Sequence, residues 1–277
     1  MQITEKELQN YSSFLTLREK TTATVQKYRR EIVRFADWLA GREITRETAC
    51  AYKEALAKAR SPAGVNGAVA ALNCFFDFLG VPECRLRSAR IQRQSFRDEA
   101  RELTEKEYRR LLSAAKEKRN ERLLLVMETI CATGIRISEL RFFTVEAVRK
   151  GQVEVTNKGR TRTVLLPRKL RRVLLQYAGG RQVASGPVFI TRGGRPLDRS
   201  NIWRDMKNLC AGADVAESKV FPHNLRHLFA RAYYSLEKDI VRLADILGHA
   251  SVNTTRIYTM ESGDAHRRQL ERLRLML

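Results

Sequence analysis

Six residues in the second half of the chain form one chemical set: Arg136, Lys158, His223, Arg226, His249 and Tyr258. Two guanidiniums, two imidazoles, an amine and a phenol are what phosphoryl transfer to a tyrosine requires. A phenol has an ordinary pKa near ~10, so it attacks at neutral pH only with a base and positive surroundings. Charge builds on phosphate oxygens in the transition state, and fixed guanidiniums can stand in for metal ions there. No acidic cluster accompanies the six in the sequence, so no metal and no other cofactor is expected.

Each member sits in a short stretch with a readable local structure. The run CATGIRISEL (131–140) closes one helix at Gly134 and opens the next at Arg136. An arginine there is either a structural ion pair with Glu139 or a bidentate phosphate fork that Glu139 holds in place. Lys158 lies at a hairpin tip, where a lysine is either simply solvated or carries an ammonium into a phosphate site as a proton donor. Pro222-His223-Asn224-Leu225-Arg226-His227 puts His223 and Arg226 on one face of a helical turn. His223 and His227 have a zinc-like spacing, but Asn224 stands where an H-E-x-x-H metalloprotease has its glutamate. His227 therefore reads as a packed or hydrogen-bonded histidine. Gly248 ends a helix, Ser251 caps the next, and that helix projects Tyr258 about two turns in. Tyr258 is then a nucleophile or an aromatic core contact. The four histidines, His223, His227, His249 and His266, all fall in the last quarter of the chain.

The elements that must position these groups follow from hydrophobic spacing. Residues 22–39 carry Val25, Tyr28, Ile32, Phe35 and Leu39 at helical intervals, and Thr21 or Thr22 can cap the start. A shorter helix covers 46–58. Ser61-Pro62 opens a third over 62–79 that stops at Gly80. These make a compact helical bundle over residues 1–86. Residues 87–102 are polar and basic and read as an interdomain linker able to lie along DNA. A mixed domain over 103–277 begins with the capping-box pair Thr104 and Glu107. It continues with a helix over 121–132 and a β-hairpin over 152–166, in which Val153 and Val155 alternate, Asn157-Lys158-Gly159 turns, and Val164 and Leu166 alternate again. Val188-Phe189-Ile190 is a candidate further strand, and the remainder is helical. The fold class is mainly α with a small β-hairpin.

Bulk properties point the same way. The chain has 277 residues with a formal net charge of +21, from 52 Lys+Arg against 31 Asp+Glu. Such a balance favours a polyanion, with nucleic acid as the default partner. No apolar run approaches the ~18 residues that span a bilayer, and a cytoplasmic, nucleoid-associated protein is expected. The five cysteines are scattered with no C-x-x-C pair, which argues against zinc and against a disulfide framework. Lys27, Arg30 and Arg34 share one side of the first long helix and are either a solvated face or a phosphate-tracking one. Arg195, Arg199 and Arg204, around a helix start at Ser200, are a second candidate DNA patch. The closing segment HRRQLERLRLML has Leu270, Leu273 and Leu277 at helical spacing and either packs on its own domain or docks on a neighbour.

At ATGIRISEL, the NKG hairpin, HNLRHLFA and LGHASVNTTRIY, the sequence resembles the tyrosine recombinase, or phage integrase, family, in order and in spacing. The N-terminal helices resemble that family's core-binding domain, so the likeness is to a Xer-like two-domain site-specific recombinase. The fold it implies is a SAM-like helical core-binding domain plus an α+β catalytic domain. Leu228 stands where the family often has a small polar residue. The resemblance implies that Tyr258 attacks the scissile phosphate to give a 3′-phosphotyrosyl link and a free 5′-hydroxyl. Arg136 and Arg226 would clamp the nonbridging oxygens, and His249 would hydrogen-bond to the phosphate. His223 would help take the tyrosine proton, Lys158 would protonate the leaving oxygen, and Glu139 would orient Arg136. It further implies a homotetramer on double-stranded DNA with paired recombination sites, the C-terminal helix being exchanged between subunits. The alternatives are a catalytically silent DNA-binding regulator on the same fold and a type IB topoisomerase-like relaxing enzyme.

Overall fold

Side-chain caps punctuate the first third of the chain. Thr4, Thr21, Thr45 and Ser61 each accept a backbone N–H in the first turn of α1 (Glu5–Leu17), α2 (Thr22–Leu39), α3 (Arg46–Ala59) and α4 (Pro62–Leu79). α4 ends at Gly80, whose φ of +72° is left-handed. These elements come from a computed structural model that describes residues 3–91, 99–157, 159–191, 193–260 and 263–273. Lys158, Leu277 and the middle of the basic linker lie outside the described residues.

The chain divides into two compact units, Met1–Arg93 and Gln94–Leu277. The core of the first is aromatic: Tyr11, Phe35, Phe75 and Phe76 are fully buried, and Tyr11 stacks edge-on to Phe75 with centroids 5.1 Å apart. The Tyr11 hydroxyl donates to the Ala71 carbonyl at 3.1 Å, which meets the polar requirement that burial of a phenol imposes. The basic stretch starts bound to this unit. Asn73 on α4 both accepts from and donates to the Leu86 backbone, at 2.8 and 2.9 Å. Asn66, two turns earlier, does the same to Ala89 at 2.8 and 2.9 Å. The two side-chain amides thus act like a strand edge for residues 86–89.

The second unit opens with α5 (Glu105–Glu117), started by the Thr104–Glu107 capping box, and α6 (Glu121–Thr133). Then come α7 (Val145–Lys150), β1 (Gln152–Asn157) and β2 (Arg160–Leu165). The strands pair antiparallel with Val153 opposite Val164 and Asn157 opposite Arg160, and Val153, Val155 and Val164 face the core. The helices α8 (Arg168–Gly180), α9 (Arg199–Lys207), α10 (Cys210–Ala213), α11 (Pro222–Glu237), α12 (Ile240–Leu247), α13 (Val252–Thr255) and α14 (Gly263–Arg272) follow. Leu228 is buried in this core, where a small polar residue would leave a gap.

Two expectations need correction. Val188–Ile190 forms no strand. Val188 donates to the Phe143 carbonyl, and isolated bridges join Thr144 to Pro187 and Ile190 to Pro196; proline and the nearby Gly193-Gly194 turn leave no partner ladder to extend. Tyr258 does not sit in one continuous helix. α13 is a single turn that tightens to a 3-10 turn over Arg256–Tyr258. Among the described residues, no helix is long and apolar enough to cross a membrane.

Gly134 ends α6 at φ +65°, and a Cβ added there would lie 2.4 Å from the Phe229 ring. Left-handed backbone and overpacking both oppose a side chain. Gly134→Ala should therefore lose about 2–4 kcal/mol of stability, measured by urea denaturation with the slope unchanged.

Candidate active site

Two helix ends build the centre of the site. α6 stops at Gly134 and α12 stops at Gly248, which has φ +64°. Each leaves carbonyls free at the negative end of a helix dipole. Arg226, on α11, is fully buried and fills the space between them. Its Nη1 donates to the Gly134 carbonyl at 2.6 Å and its Nη2 to the Leu247 carbonyl at 2.7 Å. Among the described residues no carboxylate bonds to it, and its Nε–H has no partner. Burial and the neighbouring Arg136 push its pKa down to about 10, so it remains a cation at neutral pH.

Arg226 Nη2 also lies 3.0 Å from His249 Nε2. A guanidinium only donates, so Nε2 accepts and the imidazole proton resides on Nδ1. Nδ1 faces the Thr255 hydroxyl at 2.8 Å. His249 is therefore a neutral imidazole of defined tautomer. Burial together with Arg226 and Arg136 lowers its pKa to about 4, in agreement with that assignment.

Arg136 begins the 3-10 turn Ile137–Phe142. Its backbone N–H donates to Glu139 Oε2 at 2.8 Å and its Nη1 to Glu139 Oε1 at 3.1 Å. Its Nη2 reaches the Gly248 carbonyl at 3.4 Å. Glu139 is buried, and a second guanidinium, that of Arg162 on β2, takes both its oxygens at 2.9 Å. Burial raises the Glu139 carboxyl, but the hydrogen bonds and charge of Arg162 and Arg136 outweigh it and hold the pKa at about 2.

Tyr258 is buried on this floor, its ring parallel to that of His249 with centroids 6.2 Å apart. Burial raises its pKa, and the charges of Arg226 and Arg136 oppose the rise. His227 meets Tyr258 edge-on at 5.1 Å and His223 edge-on at 4.4 Å, forming a row of three rings. His223 lies at the exposed rim. Partial desolvation and the charges of Arg226, Arg136 and Arg199 lower its pKa. His227 Nε2 is buried with no hydrogen-bond partner among the described residues.

The structure thus gathers Arg136, Glu139, His223, Arg226, His249 and Tyr258 in one place, while Lys158 lies outside the described residues. Of the candidate DNA contacts, Arg199 comes near enough to act on His223, and Arg195 and Arg204 are exposed. In the first unit Lys27 and Arg30 are exposed, and Arg34 is held by the buried Glu31 at 2.9 Å. Among the described residues, no group of three or more His, Cys, Asp or Glu side chains could hold a metal ion. Sequence reasoning missed Arg162 and Thr255. Thr255 carried a signal, since it lies six residues after His249 in a turn that Ser251 caps. Arg162 carried none that sets it apart from Arg160 in the same hairpin.

The profile of the phage integrase family matches residues 101–264. Tyrosine recombinase XerA from Pyrococcus furiosus is 30% identical over 280 residues, covering 97% of this chain and 94% of that protein. A crystal structure of a lambda integrase dimer bound to a COC′ core site shares the fold with a TM-score of 0.74 at 19% identity, covering 94% of this chain and 96% of that one. A lambda integrase tetramer bound to a Holliday junction gives 0.73 at 19% identity, covering 91% and 76%. The chain belongs to the phage integrase family: it is a site-specific tyrosine recombinase, an enzyme that breaks and rejoins DNA.

The depressed histidines carry a pH signature. Burial first, then the charges around it, lowers His227 to about 3 against an ordinary 6.5. Its unfolded form therefore takes up protons that its folded form refuses, and stability falls as pH drops below 6.5. Glu139 adds a loss lower down, as pH falls from the ordinary 4.5 towards 2. His227→Phe, which removes an unpartnered buried nitrogen, should cut the acid-side loss between about pH 6.5 and 5 by about 1–2 kcal/mol, read from urea midpoints across that range.

Proposed function

We propose that the chain exchanges DNA strands through a 3′-phosphotyrosyl intermediate, with Tyr258 as the nucleophile. The observation that carries this reading is the buried Arg226, held by carbonyls rather than by a carboxylate, so that its full charge remains available beside Tyr258. Arg136, on the other side, reaches out from its Glu139 anchor with its side chain about a third exposed. The two guanidiniums would take the nonbridging oxygens of the scissile phosphate and the charge that builds there.

The Tyr258 oxygen bonds to phosphorus as the bond from phosphorus to the 5′-oxygen breaks. The phenol proton leaves towards His223. The departing 5′-oxygen takes a proton from Lys158. Resealing runs the same steps in reverse with a 5′-hydroxyl from the other strand, so the bond energy is conserved and no ATP is needed. His249 Nε2 accepts from Arg226, so donating to a phosphate oxygen requires Nε2 to gain a proton. An arriving phosphate anion favours that protonation by offsetting the two arginines.

The two compact units support a core-binding domain over residues 1–86 and a catalytic domain over 103–277, joined by 87–102. Two such bodies on a basic tether suit a clamp on duplex DNA. Lys27, Arg30, Arg34, Arg195, Arg199 and Arg204 are the proposed phosphate-facing groups. Lambda integrase has been seen as a tetramer on a Holliday junction, and we extend that assembly to this chain, on paired sites. Exposed Leu270 and Leu273 near the C-terminus supply an apolar edge for exchange between subunits.

Tyr258→Phe should abolish covalent linkage to a nicked suicide duplex while binding changes by less than about threefold; a persistent adduct in that variant rules out the assignment. Lys158→Ala should slow cleavage by about 10²–10⁴-fold and recover on a substrate with sulfur at the 5′-bridging position, a leaving group that needs no proton. Absence of recovery in single-turnover cleavage assigns Lys158 to DNA positioning instead.

A further inference from the structure

Glu139 presents a problem that the six-residue set does not solve. Its carboxylate is a full negative charge buried beside the place proposed for a phosphate. If Arg136 alone neutralised it, the two charges would cancel, and the fork would be drawn into its own glutamate. The structure avoids this with a third charge. Arg162, itself mostly buried, grips both Glu139 oxygens at 2.9 Å with Nη1 and Nη2. A bidentate grip of this kind is the strongest geometry a carboxylate can be offered. Arg136 is left a single side-chain bond to the same carboxylate, at 3.1 Å.

Arg162 has a second hold. Its Nε donates to the Ile246 carbonyl at 3.0 Å, in the last turn of α12. Its side chain also lies against Gly248, where an added Cβ would come within 2.7 Å of Arg162 Cδ. The residue after that glycine is His249. Arg162 thus ties strand β2 to Glu139 and to the turn that delivers His249, with all three guanidinium nitrogens occupied.

We infer that Arg162 is a positioning residue of the strand-transfer reaction: it neutralises Glu139 so that Arg136 keeps its charge for the phosphate. This rests on the phosphotyrosyl reading above. The charge count states the point. Arg136, Arg162 and Glu139 together carry one net positive charge, and without Arg162 they carry none.

The test is a double-mutant cycle between Arg162 and Glu139 in the full chain. Covalent adduct formation is followed in single turnover on a nicked duplex whose site is enriched from random DNA by the unaltered protein. Arg162→Met should leave binding within about threefold and slow adduct formation about fiftyfold, because an uncompensated buried carboxylate then competes for Arg136. With Glu139→Gln already present, the same Arg162→Met change should cost less than about fivefold, since there is no carboxylate left to neutralise. This second comparison decides the matter even if Arg162→Met alone fails to fold. A methylphosphonate at the scissile position, which carries no anionic oxygen, should likewise shrink the Arg162→Met loss below about fivefold. Equal losses in both Glu139 backgrounds, or on both linkages, would make Arg162 a structural brace and overturn the inference. If the unaltered chain forms no adduct, the phosphotyrosyl reading falls and takes this inference with it, whereas additive losses beside a normal adduct count against Arg162 alone.

Discussion

The site depends on one buried cation held by dipoles, with no carboxylate bonded to it among the described residues. Arg226 sits where two helices terminate, and its hydrogen bonds go to the carbonyls of Gly134 and Leu247 and to His249 Nε2. Burial of an unpaired charge ordinarily costs several kcal/mol. Here the negative ends of two helix dipoles and two charge-assisted hydrogen bonds offset that cost without supplying a full negative charge. A carboxylate partner would have been the simpler way to stabilise the arginine, but it would have spent the charge that an anionic substrate needs. The neighbouring arginine uses the opposite arrangement, a shared glutamate with a second guanidinium, and reaches the same end. Neither cation is cancelled by a carboxylate of its own.

The same positive field governs the titratable groups. His249 and His227 are held neutral by desolvation and by the arginines around them, and Tyr258 is held neutral by burial despite them. None of these three side chains is therefore an anion at neutral pH. Under the proposed reaction, a bound phosphate offsets the guanidiniums and so favours protonation of His249. The Arg226 guanidinium, which can only donate, sets the imidazole tautomer and makes His249 Nε2 an acceptor.

Much of this was legible in the sequence because the local signals agree with the tertiary structure. Thr104 and Glu107 form the capping box their spacing implies, Gly134 and Gly248 end the helices they were expected to end, and the Val153–Val155 and Val164 alternation gives the hairpin. Arg136, His223, Arg226, His249 and Tyr258, which the structure brings together, were legible for the same reason, since each lies near such a signal. What could not be read depends on contacts distant in sequence. Arg162 reaches Glu139 from 23 positions away, and no periodicity sets it apart from Arg160, the other arginine of the hairpin. The grip of Asn66 and Asn73 on residues 86–89 is equally silent, because an asparagine on a helix face looks solvated until a backbone is laid beside it. Val188–Ile190 misled for the converse reason: β-branched and aromatic residues satisfy strand propensity, yet a strand exists only where a neighbour offers a ladder.

The two glycine-ended helices carry a lesson for anyone moving this chemistry to another scaffold. Grafting six side chains onto a new helical protein would copy the inventory and omit the solvent they react in, which is built from main chain. The recipient would need two helices whose left-handed termini converge within hydrogen-bond reach of one guanidinium. That requirement concerns backbone punctuation rather than residue identity, and it is the part of the catalyst that a list of catalytic residues leaves out.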